Sequence, residues 1–305
     1  MNITILYGGT SAEHKISIQT GLAIAAAIKD RYNLDMINLN AEIYNTPHLL
    51  LDTDLVINAL HGGDGENGSI QSFLDLHHIP YTGSGAKACK IAMDKNITKL
   101  IAKSVGIPTP NWVLLKRNVN NGMQLQDNDS PKFSYPYVVK PADEGSTFGL
   151  TIVNEESELN DAISLAAEFS DEILIEEFIP GKELTVSILG NKPLPIIEII
   201  PSHKLYDYDC KYTEGMSEYV VPADLSDSIE RSLSEDALKI YKTIGCRHYA
   251  RADFRLNDEG QHYLLEINTL PGMTSTSLLP KAAKAAGLEF PELIDTIIKI
   301  ASLNN

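Results

Sequence analysis

The chain has 305 residues, 43% hydrophobic and 22% charged, the balance of a soluble globular protein of roughly two or three domains. A net charge of −16, from 25 basic and 41 acidic side chains, excludes a nucleic-acid backbone as the main partner, because that requires a basic surface. Cys89, Cys210 and Cys246 form no CxxC pair, no run approaches the ~18 apolar residues of a membrane span, and the amino terminus lacks signal-peptide character. These features exclude a disulfide framework, a zinc ribbon and a membrane partner, and lead us to expect a cytoplasmic protein.

Residues 3–7 (ITILY) predict a buried strand, Gly8-Gly9-Thr10-Ser11 a turn, and residues 14–29 a helix. A second buried strand at 55–60 ends in the glycine-rich His61–Gly68. Open α/β sheets place ligands at such strand ends, so residues 1–94 are expected to form a Rossmann-like domain. A second unit is expected over residues 95–178, with a helix at 95–104, a polar connection at 118–134 and a strand at 137–140. The small-residue loop Asp143–Gly149 and the strand-like LTIV follow. Such a hairpin tip fits either a cover of backbone N–H groups over a triphosphate or a plain surface turn. The third unit, 179–305, opens with the turn Pro180-Gly181-Lys182 and a strand. It also contains the aperiodic stretch 203–215, read as a loop or lid.

The densest chemistry lies in Tyr249–Pro280. Ala252, Phe254 and Leu256 alternate with Arg251, Asp253 and Arg255. Tyr263, Leu265 and Ile267 alternate with Leu264, Glu266 and Asn268, a period-2 hairpin with one apolar face. A turn at Asn257–Gly260 would set Leu256 opposite Gln261 and Arg251 opposite Glu266. Two carboxylates and an amide oxygen suit Mg2+, which completes its shell with phosphate oxygens and water. The same face also fits a solvated surface with an Arg251–Glu266 ion pair. There is no GxxxxGK[ST], GxGxxG or GxSxG sequence, which disfavours a P-loop enzyme, a dinucleotide oxidoreductase and a serine hydrolase.

Taken together, GGTSAEH (8–14), HGGDGENG (61–68), VVKPADEGSTFG (138–149), IEEFIPGKELTV (175–186), YDYDCKYTEG (206–215), RADF (251–254) and LLEINTLPGMTSTSLLP (264–280) resemble the D-alanine:D-alanine ligases. These belong to the ATP-grasp superfamily, and the resemblance runs through the whole chain in order. It implies an α/β (α+β) ATP-grasp fold with three domains and an N-terminal Rossmann-like domain. It also implies ATP-dependent joining of two D-alanine molecules through an acyl phosphate for peptidoglycan, with two Mg2+ (or Mn2+) ions and a homodimer.

By the same resemblance, Asp253, Glu266 and Asn268 are metal ligands. Arg251 stabilises the transferring phosphoryl group and the tetrahedral oxyanion, helped by the Gly272 backbone N–H. Lys95 and Lys140 hold ATP phosphates, Glu176, Phe178 and Ile179 form the adenine pocket, and Glu183 takes the ribose hydroxyls. Glu13 receives the first D-alanine's ammonium in a triad with Ser146 and Tyr212, near His61. Lys211, Ser277 and the Leu278 backbone receive the second substrate's carboxylate. Departures from the family pattern are Ala142-Asp143, Thr147 and His248, and an inward-pointing Asp143 would weaken ATP affinity. The alternatives are a D-alanine:D-lactate or D-alanine:D-serine ligase, a non-catalytic ATP-binding protein, or a Rossmann oxidoreductase.

Overall fold

The structure is a computed structural model, and it describes residues 1–39, 44, 47–118, 122–125, 131–202, 215–274 and 277–303. The first unit is a parallel sheet of β1 (Asn2–Gly8), β2 (Asn33–Leu39) and β3 (Leu55–Asn58) in the order β2-β1-β3. Helix α1 (His14–Ile28) is the crossover from β1 to β2. It lies so close to β1 that a Cβ on Gly21 would fall 2.6 Å from the Tyr7 Cβ. Ile3, Ile5, Leu55 and Ile57 bury against α1 and the C-terminal helix, so the continuous apolar runs of this sheet are explained by burial on both faces. Strand β3 stops at Asn58, two residues short of expectation. There the Asn58 side chain turns the chain, accepting the Leu60 N–H at 3.1 Å and donating to the Gly65 carbonyl at 3.0 Å.

Helices α2 (Ser69–Leu76), α3 (Ala86–Met93) and α4 (Lys95–Ser104) follow. Asp94 caps α4 by accepting the Ile97 N–H at 2.9 Å, which supplies a helix-start donor with its acceptor. The second sheet is antiparallel, in the order β5-β4-β8-β6-β7. Its strands are β4 (Trp112–Asn118), β5 (Gly122–Leu125), β6 (Tyr137–Pro141), β7 (Thr151–Val153) and β8 (Glu172–Glu177), and α5 (Glu156–Ala166) covers one face.

The third sheet contains β9 (Lys182–Leu189), β10 (Lys192–Pro193), β11 (Ile197–Pro201), β12 (Ser217–Val220), β13 (Tyr249–Leu256) and β14 (His262–Asn268). Its order is β12-β11-β9-β13-β14, with β10 pairing β9. Helix α6 (Asp227–Ile244) packs on it, and α7 (Leu278–Ala285) and α8 (Phe290–Leu303) close the chain. Helix α4, expected to open the second unit, buries Ala102 in the core of the third sheet. No described helix is long and apolar enough to cross a membrane.

The β13–β14 hairpin corrects the expected register twice. Asn257 Oδ1 accepts the N–H groups of Glu259 and Gln261 at 3.1 and 2.8 Å, and the Gln261 carbonyl accepts the Asn257 N–H at 3.0 Å. Gln261 therefore closes the turn, and Leu256 pairs with His262. A β-bulge then leaves Leu265 unpaired between the pairs Phe254–Leu264 and Asp253–Glu266, so Arg251 stands opposite Asn268. The bulge also reverses the alternation. Leu264 and Ile267 are buried in the core, while Leu265, Glu266 and Asn268 are only partly buried. Leu264 thus leaves the face the sequence pattern assigns to it, because one extra residue flips every side chain beyond it.

Candidate active site

Two adjoining cavities lie where the three sheets meet. The first, between the second and third sheets, is lined by Lys140 and Glu176 on one side and by Glu183, Asp253, Leu265 and Glu266 on the other. Phe178 and Ile179, from the link between β8 and β9, form an apolar end, and Phe148 and Leu150 add to it from the β6–β7 loop. The second reaches the first sheet and is lined by Glu13, His61, Ser146, Asn268, Gly272, Ser277 and Leu278. Lys95, Gly145, Arg251 and Glu266 border both. Every described candidate residue lines one cavity or the other. Lys211 and Tyr212, with the expected lid as far as residue 214, lie outside the described residues.

In the first cavity Glu176 is 1% exposed, far from the surface carboxylate its type suggests. Burial by itself would raise its pKa, but the ammoniums of Lys140 at 2.8 Å and Lys99 at 3.0 Å hold it below the usual carboxylate range. Lys95 donates to the Glu144 carbonyl and stands 3.5 Å from Glu266. Asp143 is exposed and does not line the cavity. Glu183 pairs with Arg255 at 3.4 Å. Arg255 also donates to the carbonyls of Ile179 at 3.0 Å and Gly181 at 2.7 Å, fixing the turn that carries the apolar end.

On the shared wall Arg251 makes a bidentate pair with Asp253 at 2.7 and 2.8 Å. The expected Arg251–Glu266 pairing gives way to this one, because the shifted register sets Asn268 opposite Arg251 and Glu266 opposite Asp253. Thr185 donates to Asp253 at 2.6 Å. Asn268 Oδ1 accepts the Leu270 N–H at 2.8 Å, which fixes the orientation of its side-chain amide. Among the described residues no group of three His, Cys, Asp or Glu side chains could hold a metal. Two facing carboxylates and one fixed amide oxygen nevertheless fit a Mg2+ whose remaining ligands are phosphate oxygens and water.

In the second cavity Glu13 precedes α1 but makes no side-chain cap to it. It is buried, and Ser146 donates to its carboxylate from the β6–β7 loop. Ser146 and Thr147 sit at φ +49° and +66°, a conformation that costs non-glycine residues on the order of 1 kcal/mol and marks functional turns. Gly62, at φ +65°, lies so close that a Cβ there would be 2.8 Å from Glu13 Oε2. His61 is buried, with Nε2 2.9 Å from Thr20 Oγ1 and Nδ1 3.5 Å from Glu66. Ser277 Oγ bonds Thr274 rather than capping α7, which leaves the positive end of that helix facing the cavity.

The sequence pattern does not single out Lys99, Arg255, Glu66 or Tyr219, of which Glu66 and Tyr219 line the second cavity. For Lys99 a signal exists, since Lys95, Thr98, Lys99 and Ala102 form the buried face of α4 and a lysine on an inward helix face requires a partner.

Family comparisons agree with this geometry. The profile described as D-ala D-ala ligase C-terminus matches residues 101–299, and that described as D-ala D-ala ligase N-terminus matches 38–84. The D-alanine–D-alanine ligase of Syntrophotalea carbinolica is 43% identical, covering 99% of this chain and 96% of the relative. That of Halalkalibacterium halodurans is 42% identical, covering 99% of each. Among solved structures, the D-alanine–D-alanine ligase from Bacillus anthracis complexed with ATP superposes with TM-score 0.86 at 36% identity, over 99% of this chain and 97% of that one. The VanG D-Ala:D-Ser ligase from Enterococcus faecalis gives 0.82 at 29% identity, over 98% and 99%. The two antiparallel sheets gripping the first cavity are the ATP-grasp arrangement of these enzymes. The chain belongs to the D-alanine–D-alanine ligase family.

Proposed function

We propose that the chain joins two D-alanine molecules into D-alanyl-D-alanine at the expense of ATP, releasing ADP and phosphate, for peptidoglycan precursor synthesis. The observation that carries this reading is the wall shared by the two cavities. Lys95, Gly145, Arg251 and Glu266 border both the cleft between the second and third sheets and the polar cavity that reaches the first sheet, so a γ-phosphate at that wall adjoins a carboxylate in the second cavity.

The first step transfers the γ-phosphoryl group to the carboxylate of the first D-alanine, giving D-alanyl phosphate and ADP. A carboxylate nucleophile needs no general base. In the second step the amine of the second D-alanine attacks that carbonyl, phosphate leaves, and the nitrogen sheds a proton. Glu13 receives the first ammonium, and Ser146, together with Tyr212, orients it. Lys95 and Lys140 neutralise ATP phosphates, while Glu176, Phe178, Ile179 and Glu183 hold adenosine. The Arg251 guanidinium and the Gly272 N–H stabilise charge developing on the transferred group and on the tetrahedral oxyanion. Lys211, Ser277 and the Leu278 N–H receive the second carboxylate. Asp253, Glu266 and Asn268 hold two divalent ions, which neutralise phosphate charge when bound. The three-unit division at residues 94/95 and 178/179, the homodimer and the cytoplasmic location complete this reading.

Phosphate release from ATP and Mg2+ with D-alanine, with products identified by mass, tests it. D-alanine-dependent phosphate and the D-Ala-D-Ala dipeptide are expected. A mixed product in the presence of D-lactate or D-serine would move the assignment to one of those relatives, and ATP binding without turnover would reduce the chain to a binding protein.

A further inference from the structure

Lys99 lies one turn along α4 from Lys95, yet it does not line the nucleotide cavity. Its side chain is completely enclosed. The ammonium sits 5.0 Å from the Trp112 ring centroid and 3.0 Å from Glu176 Oε1, and it donates to Thr109 Oγ1 at 2.9 Å. The Thr109 hydroxyl donates in turn to the Leu264 carbonyl at 2.8 Å, tying this buried ammonium to the strand that carries Glu266. Burial pushes the ammonium down to about 8, and the Glu176 carboxylate opposes that fall.

A buried ion pair is weak evidence for stability, because an apolar side chain of similar volume is often as good or better. Methionine would fill the space beside Trp112 without desolvating a charge, so the ammonium calls for a reason other than packing. The arrangement around Glu176 supplies one. Its two oxygens contact different cations, Oε1 facing Lys99 and Oε2 facing Lys140 at 2.8 Å. Of the two, only Lys140 borders the cavity. One carboxylate shared between two ammoniums cannot fully neutralise either, and the surplus positive charge appears at Lys140, where the cavity opens. With Lys99 removed, the carboxylate would serve Lys140 alone and weaken its pull on an anion.

We propose that Lys99 is a positioning residue for the nucleotide, engaging half of Glu176 from beneath the cavity floor so that the Lys140 ammonium stays aimed at the phosphates. The assignment rests on the ATP reading given above. It differs from the roles of Lys95 and Lys140 in that Lys99 never touches the ligand.

The test compares Lys99→Met, Glu176→Gln and the double variant in the full-length protein. It measures steady-state kinetics and, separately, calorimetric binding of ADP with Mg2+ in the absence of D-alanine. Lys99→Met leaves the neutral Lys140–Glu176 pair intact and is expected to fold. The KM for ATP and the Kd for ADP should each rise about tenfold, the scale of one charge-assisted hydrogen bond. The kcat and the KM for D-alanine should stay within about twofold, below half of that energy. In the Glu176→Gln background the same substitution should change the KM for ATP less than about threefold, because the carboxylate it acts through is gone. Thr109→Val, which removes only the hydroxyl partner, should raise the KM for ATP about threefold and gives the same readout should Lys99→Met prove insoluble. A lowered thermal midpoint and kcat with an unchanged KM for ATP would overturn the positioning role. So would equal effects of Lys99→Met in both Glu176 backgrounds. Wild-type protein that binds neither ATP nor ADP would overturn the nucleotide reading itself, and is told apart because it fails without any substitution.

Discussion

The two cavities are built differently. The nucleotide cavity draws its charged residues mainly from strand interiors, with Lys140 on β6, Glu176 on β8 and Asp253 on β13, each held by an ion pair within one strand or between two adjacent ones. The amino-acid cavity takes Glu13 from the first unit, Ser146 from a loop of the second, and Gly272 and Ser277 from the segment after the third sheet. Strand positions are fixed by ladders on both sides, whereas loop positions depend on how separate units dock. The nucleotide site therefore takes its charges mainly from two sheets, whereas the amino-acid site brings its groups together from all three units.

The largest expected effect falls on the wall common to both. Arg251→Ala should lower kcat by about 10²- to 10³-fold, the scale of a lost oxyanion donor, while the thermal midpoint moves by only a few degrees. A proportionate loss of folded protein would make Arg251 a structural partner of Asp253 and nothing more.

Next comes the contact across units. Ser146→Ala should raise the KM for D-alanine about tenfold, one charge-assisted hydrogen bond's worth, and leave ADP binding unchanged. A parallel loss of ADP affinity would show that the two halves are not separable. Gly62→Ala probes the same half from the other side. Its Cβ would press on Glu13 at a left-handed backbone position, so the KM for D-alanine should rise severalfold, in line with about 1 kcal/mol of strain, with ATP affinity intact.

Assembly also predicts protection. Cleavage by limited proteolysis within residues 143–149 should slow when ATP and D-alanine are added together, because an acyl phosphate must be kept from water. Equal rates with and without ligands would argue for a loop that never closes.

A separate effect concerns pH and stability rather than substrate affinity. His248 is buried at φ +66°, and burial, aided by Arg247, pushes it down to about 4 from 6.5. Its folded value is depressed, so the unfolded chain binds the proton first as pH falls. This contribution is fully present above about pH 6.5 and is lost as pH falls towards 4. Asparagine tolerates the same backbone conformation, so His248→Asn should flatten the loss of stability over that window by about 1–3 kcal/mol. An unchanged acid limb in urea titrations would exclude His248 as its source.

Much of the site is legible in the sequence because its residues sit on regular elements. The period-2 pattern of residues 251–256 by itself places Arg251 and Asp253 on one face, and the observed strand agrees. The partner strand misleads because the bulge adds a residue without a characteristic composition, and the tandem Leu264-Leu265 reads equally well as core. Lys99 is passed over because lysine is by default a surface residue, a rule that fails where one carboxylate serves two cations, and only its place on the inward face of α4 marks it. Helix α4 packs two ways, with Ala102 in the core of the third sheet and Lys99 against Glu176 of the second, and docking of that kind leaves no mark in local periodicity.

The bulge at Leu265 makes chain length, rather than side-chain identity, a variable of this site. Excising that one residue would restore a regular ladder in which Leu264 still points inward and Glu266 still stands opposite Asp253. The carboxylate frame would survive, but the nucleotide cavity would lose the apolar side chain that Leu265 places beside it. The hairpin thus carries a removable spacer, through which the floor beneath a bound base could be altered without disturbing the charges that face its phosphates.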